Sequence, residues 1–155
     1  MDEKKIVTSI DSIIKPYHFK KNRHSWRKTK NNITVILALQ KSRYSNSFTF
    51  EVGICIDITR DINKLKYYNC GISFRLNSIP AFHSVNMDNA LSLPLNDEKY
   101  FLLFIDFLER EGMSVLMNFF SLEYLHQLYK DGFFENKMID NISKHILSDD
   151  SHLVN

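Results

Sequence analysis

The sequence predicts an α+β domain: an antiparallel sheet of about four to six strands, with N-terminal and C-terminal helices covering one face. Two observations lead to this fold class. Through the middle of the chain, apolar and polar residues alternate with a period of two, as they do in strands with one buried face. Near the N-terminus and after residue 96, apolar residues instead recur every three or four positions, as in amphipathic helices. Strands followed by helices favour an α+β arrangement.

The first predicted element is a helix from residue 3 to about residue 14, which Pro16 ends. One apolar stripe of this helix consists of Ile6, Ile10, Ile13 and Ile14. Residues 17–30 form short polar and aromatic runs on either side of Asn22-Arg23-His24, which predicts an edge hairpin. Lysines along such an edge prevent further strands from pairing with it.

Two long strands follow at residues 33–40 and 48–58, and a third lies at residues 71–76. Their large apolar residues share one face, which must lie under other elements. The opposite face carries smaller and polar side chains, namely Gln40, Thr49, Glu51, Ser73 and Arg75. If the strands are neighbours, the carboxylate of Glu51 and the guanidinium of Arg75 can pair across the sheet.

The periodicity fails between residues 77 and 96, so this connection is either functional or contains an undetected element. A helix is predicted after it, capped by Asn96 and ended by Gly112.

A second C-terminal helix is capped by Ser121 and runs to Gly132, and a third extends from about Glu135 to Leu147. We expect the tail at about residues 148–155 to be frayed. No linker divides the chain, so residues 1–155 are predicted to form a single domain.

The composition is that of an ordinary globular domain, with 155 residues, 44% hydrophobic and 25% charged, and a formal charge of +2. This excludes a disordered, collagenous or disulfide-scaffold chain. The first residues lack the apolar stretch of a signal peptide, and no window is apolar enough to span a membrane. With only two cysteines as well, we expect a cytoplasmic protein without a membrane partner.

The sequence contains no motif with the residue spacing of a known catalytic or ligand-binding site. The six histidines show no metal-ligand spacing, and the four glycines form neither a P-loop nor a dinucleotide fingerprint. We therefore predict no metal, no cofactor and no catalytic residues.

The charges are unevenly distributed along the chain. Residues 12–50 contain nine basic residues and no acidic residue, whereas residues 97–150 contain eleven acidic and five basic residues. The hairpin region is therefore cationic and the helical end is anionic, and a field of this kind steers charged partners.

The basic block has two interpretations. It is either a solvated edge with protective lysines or a site for nucleic acid or an acidic protein surface. The residues for the nucleic-acid alternative are Lys20, Lys21, Arg27 and Lys28, with Trp26 for stacking. The modest total charge argues against nucleic acid.

The acidic residues of the helices also have two interpretations: a solvated helix face or a surface that binds a basic partner. The candidate residues for such a partner are Asp106, Glu109, Glu111, Glu123 and Asp131. A separate candidate surface is the polar sheet face around Gln40, Glu51 and Arg75, for which a solvated cross-strand ion pair is the simpler interpretation.

A series of short motifs occurs in a fixed order: Ile14-Lys15-Pro16, Phe19-Lys20-Lys21, Trp26, Leu39-Gln40-Lys41-Ser42, Phe48 to Ile54 with its Phe-x-x-x-x-Gly pattern, and Arg75-Leu76. Across about residues 10–80, this order resembles the bacterial family catalogued as domain of unknown function 4304, although His18 stands where that family often has glycine. The family has no established activity, so the resemblance implies a fold and no catalytic residues. Small proteins of this sort are frequent in bacterial toxin neighbourhoods, which implies an immunity or antitoxin role by association only.

We therefore expect a non-enzymatic protein that binds another protein, most concretely an immunity protein that occludes a cognate toxin domain. The binding surface would be the acidic helical end or the polar sheet face. One alternative is a nucleic-acid-binding module that uses the basic hairpin at residues 15–43. The other is a small enzyme of unknown reaction on the sheet face, which would need a pocket containing His83 or Glu51.

Overall fold

An antiparallel sheet of six strands organises the computed structural model, which describes residues 2–92 and 98–149. The strands are β1 (Lys20–Asn22), β2 (Ser25–Lys30), β3 (Ile33–Lys41), β4 (Phe48–Cys55), β5 (Ile72–Arg75) and β6 (Met138–Ile139). Each strand pairs with the next one along the chain, so the order of strands in the sheet is their order in the sequence. The predicted antiparallel sheet is confirmed.

Helices cover one face of this sheet, which we call the first face. They are α1 (Asp2–Ile14), α2 (Met87–Ala90), α3 (Lys99–Phe107), α4 (Met113–Met117), α5 (Leu122–Lys130) and α6 (Asn141–Ser148). Their apolar side chains form the main core together with the apolar residues of the strands. Phe104 of α3 and the strand residues Trp26 and Phe50 belong to this core. The α+β fold class is therefore confirmed.

The N-terminal helix and the edge hairpin lie where the sequence predicts them. Ile6, Ile10 and Ile14 of α1 are fully buried, and Pro16 lies in a 3₁₀ turn immediately after the helix. Strand β1 forms one edge of the sheet. The β2–β3 hairpin turns at Asn31 and Asn32, whose φ angles of 56° and 62° are those of a type I′ turn.

The connection after β5 contains elements that the sequence pattern did not indicate. Two 3₁₀ turns, Leu76–Ser78 and Pro80–Phe82, precede the short helix α2. Ile79, Phe82 and Leu91 of this connection are buried in the main core. Such short turns have no extended period, so the pattern could not reveal them. The predicted cap Asn96 lies outside the described residues.

The predicted helix end at Gly112 is wrong. After α3 the chain continues through a π-helical turn, Leu108–Gly112, directly into α4. Gly112 is buried there, and a Cβ at this position would lie 2.9 Å from Cζ of Phe82. The glycine therefore allows Phe82 to pack closely against the helix and does not end it.

The predicted cap Ser121 is confirmed, since its Oγ accepts a hydrogen bond from the backbone N–H of Tyr124 at the start of α5. The predicted helix from Glu135 begins too early. Residues 138–139 instead form β6, and α6 starts at Asn141 because Asp140 Oδ1 accepts from the backbone N–H of Ser143. Ser148 ends α6, and residues 150–155 of the predicted frayed tail lie outside the described residues.

The second face of the sheet is partly covered by the connection between β4 and β5, here called the crossing segment (residues 56–71). This segment contains the 3₁₀ turns Ile62–Lys64 and Tyr67–Asn69. It forms a small second apolar cluster with the sheet, made of Ile36, Cys55, Leu65 and Cys70 with Tyr67 against it. The second face is therefore less polar and less open than the alternation predicts.

Candidate functional site

The polar residues of the second face lie side by side, as their parity indicates. Gln40 pairs with Thr49, and Glu51 pairs with Arg75. Thr49 Oγ1 donates to Glu51 Oε1 over 3.0 Å, and Arg75 Nε donates to the same oxygen over 3.3 Å. Glu51 is only 9% exposed, whereas the Arg75 side chain is 63% exposed. This is a cross-strand ion pair whose guanidinium still faces solvent.

Two contacts fix the crossing segment on this face. Gly53 lies under the backbone of Tyr67, where any side chain would collide with it. Arg27 projects from β2 and donates from Nη1 and Nη2 to the carbonyl oxygens of Ile62 and Leu65. The guanidinium of Arg27 therefore holds the segment in place.

A groove of about 1270 Å³ lies beside the crossing segment. The β1–β2 hairpin and the first turns of α1 contribute one part of its lining, and residues 65–68 contribute another. Ile36, Ala38 and Gln40 of β3 also line it. Typical small-molecule pockets have volumes of about 300–1,000 Å³, so this groove is large enough for part of a macromolecule.

The groove is strongly cationic. The basic residues that line it are Lys4, Lys21, Arg23, Arg27 and Lys66. Among the described lining residues, Glu3 carries the single carboxylate, and its oxygens lie 3.8 Å from His24 Nε2 and 3.9 Å from Lys41 Nζ. The positive charge of this region attracts anionic groups.

Two tyrosines belong to the crossing-segment side of the groove. The rings of Tyr67 and Tyr68 pack edge to face with their centroids 5.3 Å apart. Tyr68 is 62% exposed. Burial and the negative charge of Glu51 raise the pKa of Tyr67 above its usual value, so its hydroxyl stays protonated at neutral pH.

The residues predicted for nucleic-acid binding are not equally available. Lys20 and Lys21 are exposed on β1, and Lys21 lines the groove. Trp26 is fully buried, stacks on Phe50 and donates from Nε1 to Asp11 Oδ1 over 2.9 Å. Trp26 therefore cannot stack on a base as predicted.

Lys28 and Arg27 of this set also have partners within the protein. Lys28 Nζ donates to the carbonyl oxygen of Tyr17 over 2.8 Å and lies 5.7 Å from the ring centre of Phe120. Burial and the nearby charge of Lys30 lower the pKa of Lys28. Both side chains contribute to the fold, which leaves the two β1 lysines as the freely exposed members of the predicted set.

The five predicted acidic residues are exposed on the helical side of the molecule. Asp106 and Glu111 both pair with Arg110, at 2.8 Å and 3.4 Å. Asp131 Oδ1 accepts from Gln127 Nε2 over 2.9 Å. Arg110 thus partly neutralises the charge of Asp106 and Glu111, and Gln127 occupies an oxygen of Asp131. The anionic surface is therefore weaker than the count of acidic residues indicates.

The two residues suggested for an enzymatic site lie apart. His83 is exposed at the end of the turn that places Phe82 in the core under the first face, whereas Glu51 lies on the second face. In the part of the chain that the structure describes, no group of three histidine, cysteine or acidic residues could hold a metal ion. No described helix is long and apolar enough to cross a membrane.

Four groove residues outside the predicted basic hairpin were missed by the sequence analysis, namely Lys4, Lys66, Tyr67 and Tyr68. Their distance from one another in the chain hides their proximity. One signal was present at Gly53, because a glycine inside a strand often marks a close approach of another backbone.

Residues 10–94, which are more than half of the chain, match the protein family described as domain of unknown function (DUF4304). The chain belongs to this family. The matched region of this DUF4304 protein includes strands β1–β5 and the crossing segment, and thus most of the groove. No curated protein matches the chain, and neither does any solved structure. Membership of the DUF4304 family therefore assigns no activity.

Proposed function

We propose that this protein acts by binding another protein and that it is, most concretely, an immunity protein that neutralises a cognate toxin domain. The observation that carries the proposal is the groove between the β1–β2 hairpin, the start of α1 and the crossing segment, with five basic residues and one carboxylate in its described lining. A groove of this size and charge suits the surface of a macromolecule better than a small substrate. Charge complementarity also accelerates association, which a toxin inhibitor requires.

The second face is the better of the two surfaces suggested by the sequence. Gln40 and Arg75 are exposed there, and Gln40 lines the groove itself. On the acidic helices, Arg110 lies between Asp106 and Glu111 and reduces their net charge. Cys55 and Cys70 are free thiols, which agrees with a role in the reducing cytoplasm.

Co-expression tests this function. Each neighbouring open reading frame is expressed alone and together with this protein, and cell growth and co-purification are measured. We expect one neighbour to be toxic alone, harmless in the pair and co-purified with this chain. The proposal is wrong if no neighbour is toxic, or if the toxic one neither loses its toxicity nor co-purifies.

A pair of variants then tests the surface. Lys21→Glu with Arg23→Glu reverses charge in the groove, and Glu109→Lys with Glu123→Lys reverses charge on the helical side. We expect the groove variant to lose protection and the helical variant to retain it. The opposite result would transfer the binding site to the acidic helices.

A second candidate function is the binding of single-stranded nucleic acid, which the exposed ring of Tyr68 beside the groove cations favours. Oligouridine is the probe, and its dissociation constant is measured at several salt concentrations. Binding through phosphates would weaken steeply with salt and depend on Lys21 and Lys66. Absence of binding at low salt would exclude this candidate.

A further inference from the structure

We infer that the groove between the β1–β2 hairpin, the start of α1 and the crossing segment binds an extended, carboxylate-rich segment of a polypeptide. This inference rests on the protein-binding function proposed above and adds the chemistry of the partner. Its basis is the placement of charge around the groove, which three chain segments supply: α1, the β1–β2 hairpin and the crossing segment.

The cations are placed on different parts of the lining. Lys4 comes from α1, Lys21 and Arg23 come from the hairpin, and Lys66 comes from the crossing segment. All four side chains are exposed. A chain lying in the groove therefore meets ammonium or guanidinium groups from several directions, and successive carboxylates along it can each approach one of them.

Uncharged polar groups complete the lining. Asn22, Ser25 and Gln40 also line the groove. Amide and hydroxyl groups donate and accept hydrogen bonds, which suits a polypeptide backbone with its alternating N–H and C=O groups. A row of phosphates offers acceptors alone.

The aromatic residues also favour a polypeptide over a nucleic acid. Binding of single strands commonly uses several aromatic rings on which successive bases stack. Tyr67 is only partly exposed, packs against Tyr68 and has its backbone on Gly53. Trp26 and Phe19 are buried. Among the described groove residues, Tyr68 alone offers a largely exposed ring.

The charge outside the groove acts in the same direction. The described residues 98–149 carry nine acidic and five basic side chains, none of which lines the groove, so the surface outside the groove repels a long polyanion. The Debye length at physiological salt is about 8 Å, and a short acidic segment confined to the groove is screened from that repulsion. Local charge complementarity thus selects a short acidic segment.

The experiment uses three fluorescent probes with the full chain: a short peptide of alternating Glu and Ser, the same peptide with Gln in place of Glu, and oligouridine. Fluorescence anisotropy gives their dissociation constants at low and physiological salt. We expect the Glu peptide to bind about tenfold or more tightly than the Gln peptide, because each paired charge adds affinity. We also expect it to bind more tightly than oligouridine.

Two double variants with the same change of net charge locate the site. Lys21→Glu with Arg23→Glu should weaken binding of the Glu peptide about tenfold or more. Lys130→Glu with Lys144→Glu, on exposed positions of α5 and α6, should leave it unchanged. Urea denaturation of each variant verifies folding. If the hairpin variant does not fold, Lys66→Glu on the crossing segment provides the same comparison.

Three results would overturn the inference: equal affinity for the Glu and Gln peptides, equal weakening by both double variants, or tighter binding of oligouridine. The proposed function and the chemistry of the groove can be disproved independently of each other. If the Glu peptide does not bind but co-expression still neutralises a toxin, the groove chemistry is wrong and the function stands. If the Glu peptide binds but no neighbour is neutralised, the groove chemistry stands and the function is wrong.

Discussion

The backbone of Tyr67 lies directly against Gly53 of strand β4, so close that a Cβ at position 53 would be 2.5 Å from the Tyr67 carbonyl oxygen and 2.6 Å from its Cα. Both contact atoms belong to the backbone, which cannot move aside as a flexible side chain does. This approach lets residues 65–68 lie on the sheet and contribute to the groove lining.

Gly53→Ala is therefore expected to displace the crossing segment. Overpacking of this kind costs about 1–3 kcal/mol of unfolding free energy. Urea denaturation measures the loss, and Ser73→Ala, at the position paired with Gly53 on β5, is the control with a small expected effect. An unchanged denaturation midpoint for Gly53→Ala would show that the segment does not rest on the sheet as described.

Arg75→Ala separates a binding role from a structural one. The Arg75 side chain is 63% exposed, so loss of its ion pair with Glu51 should change the unfolding free energy by about 1 kcal/mol or less. If Arg75 belongs to the partner surface, co-purification with the toxin falls while the melting temperature is nearly unchanged. Unaltered co-purification would remove Arg75 from that surface.

Trp26 is the single tryptophan of the chain, and its environment can be observed directly. Because it is fully buried, its fluorescence should be blue-shifted, resist quenching by acrylamide and stay the same when oligouridine is added. Asp11→Ala leaves Nε1 without its partner and should lower the unfolding free energy by about 1–3 kcal/mol. Glu109→Ala, which removes an exposed carboxylate, is the control. Strong quenching by oligouridine would contradict the burial of Trp26.

Acid sensitivity should arise in part at Asp57, which is 7% exposed just after β4. Hydrogen bonds from the hydroxyl and backbone N–H of Thr59, and then from Arg60, lower the pKa of Asp57 below its usual 3.8. The folded state therefore binds this proton less readily than the unfolded state does. The stabilisation is complete above the unfolded pKa and is lost as the pH falls through the lower folded pKa.

Asp57→Asn removes this titration. The variant should be less stable than the wild type at neutral pH, and its unfolding free energy should fall less steeply as the pH drops below about 4. Urea denaturation at a series of pH values measures both effects, and Asp88→Asn, at an exposed position of α2, is the control. Parallel pH profiles for wild type and Asp57→Asn would exclude this role for Asp57.

Strands β3 and β4 were predictable because they are long and have one uniformly buried face. In β4, Phe50, Val52 and Ile54 are all almost completely buried, so the alternation identified both the strand and its orientation. The same parity correctly placed Glu51 beside Arg75. These features depend on local period and on pairing between successive strands.

The groove and the helix ends were not predictable in the same way, because they depend on contacts between distant residues. Glycine is a residue that commonly follows the end of a helix. At Gly112, however, Phe82 lies against the glycine and the helix continues. Lys66 and Tyr68 occur in a segment without periodicity, and the contacts of that segment with Gly53 and Arg27 bring them to the groove. Trp26 has the polar sequence neighbours of an edge hairpin, yet it is fully buried and donates a hydrogen bond to Asp11 of α1.

The sequential strand order has a consequence for synthesis of the chain. Strands β1–β5 can pair one after another as they leave the ribosome, because each partner has just been made. Strand β6 and α6 follow only after residues 76–137 have been translated, and helices α2–α5 lie within that stretch. At about 5–20 residues per second, that interval lasts roughly 3–12 s. Until helices α2–α5 have emerged, the part of the apolar first face that α1 does not cover stays exposed on the nascent sheet, so this is the stage at which a chaperone would have the most to protect.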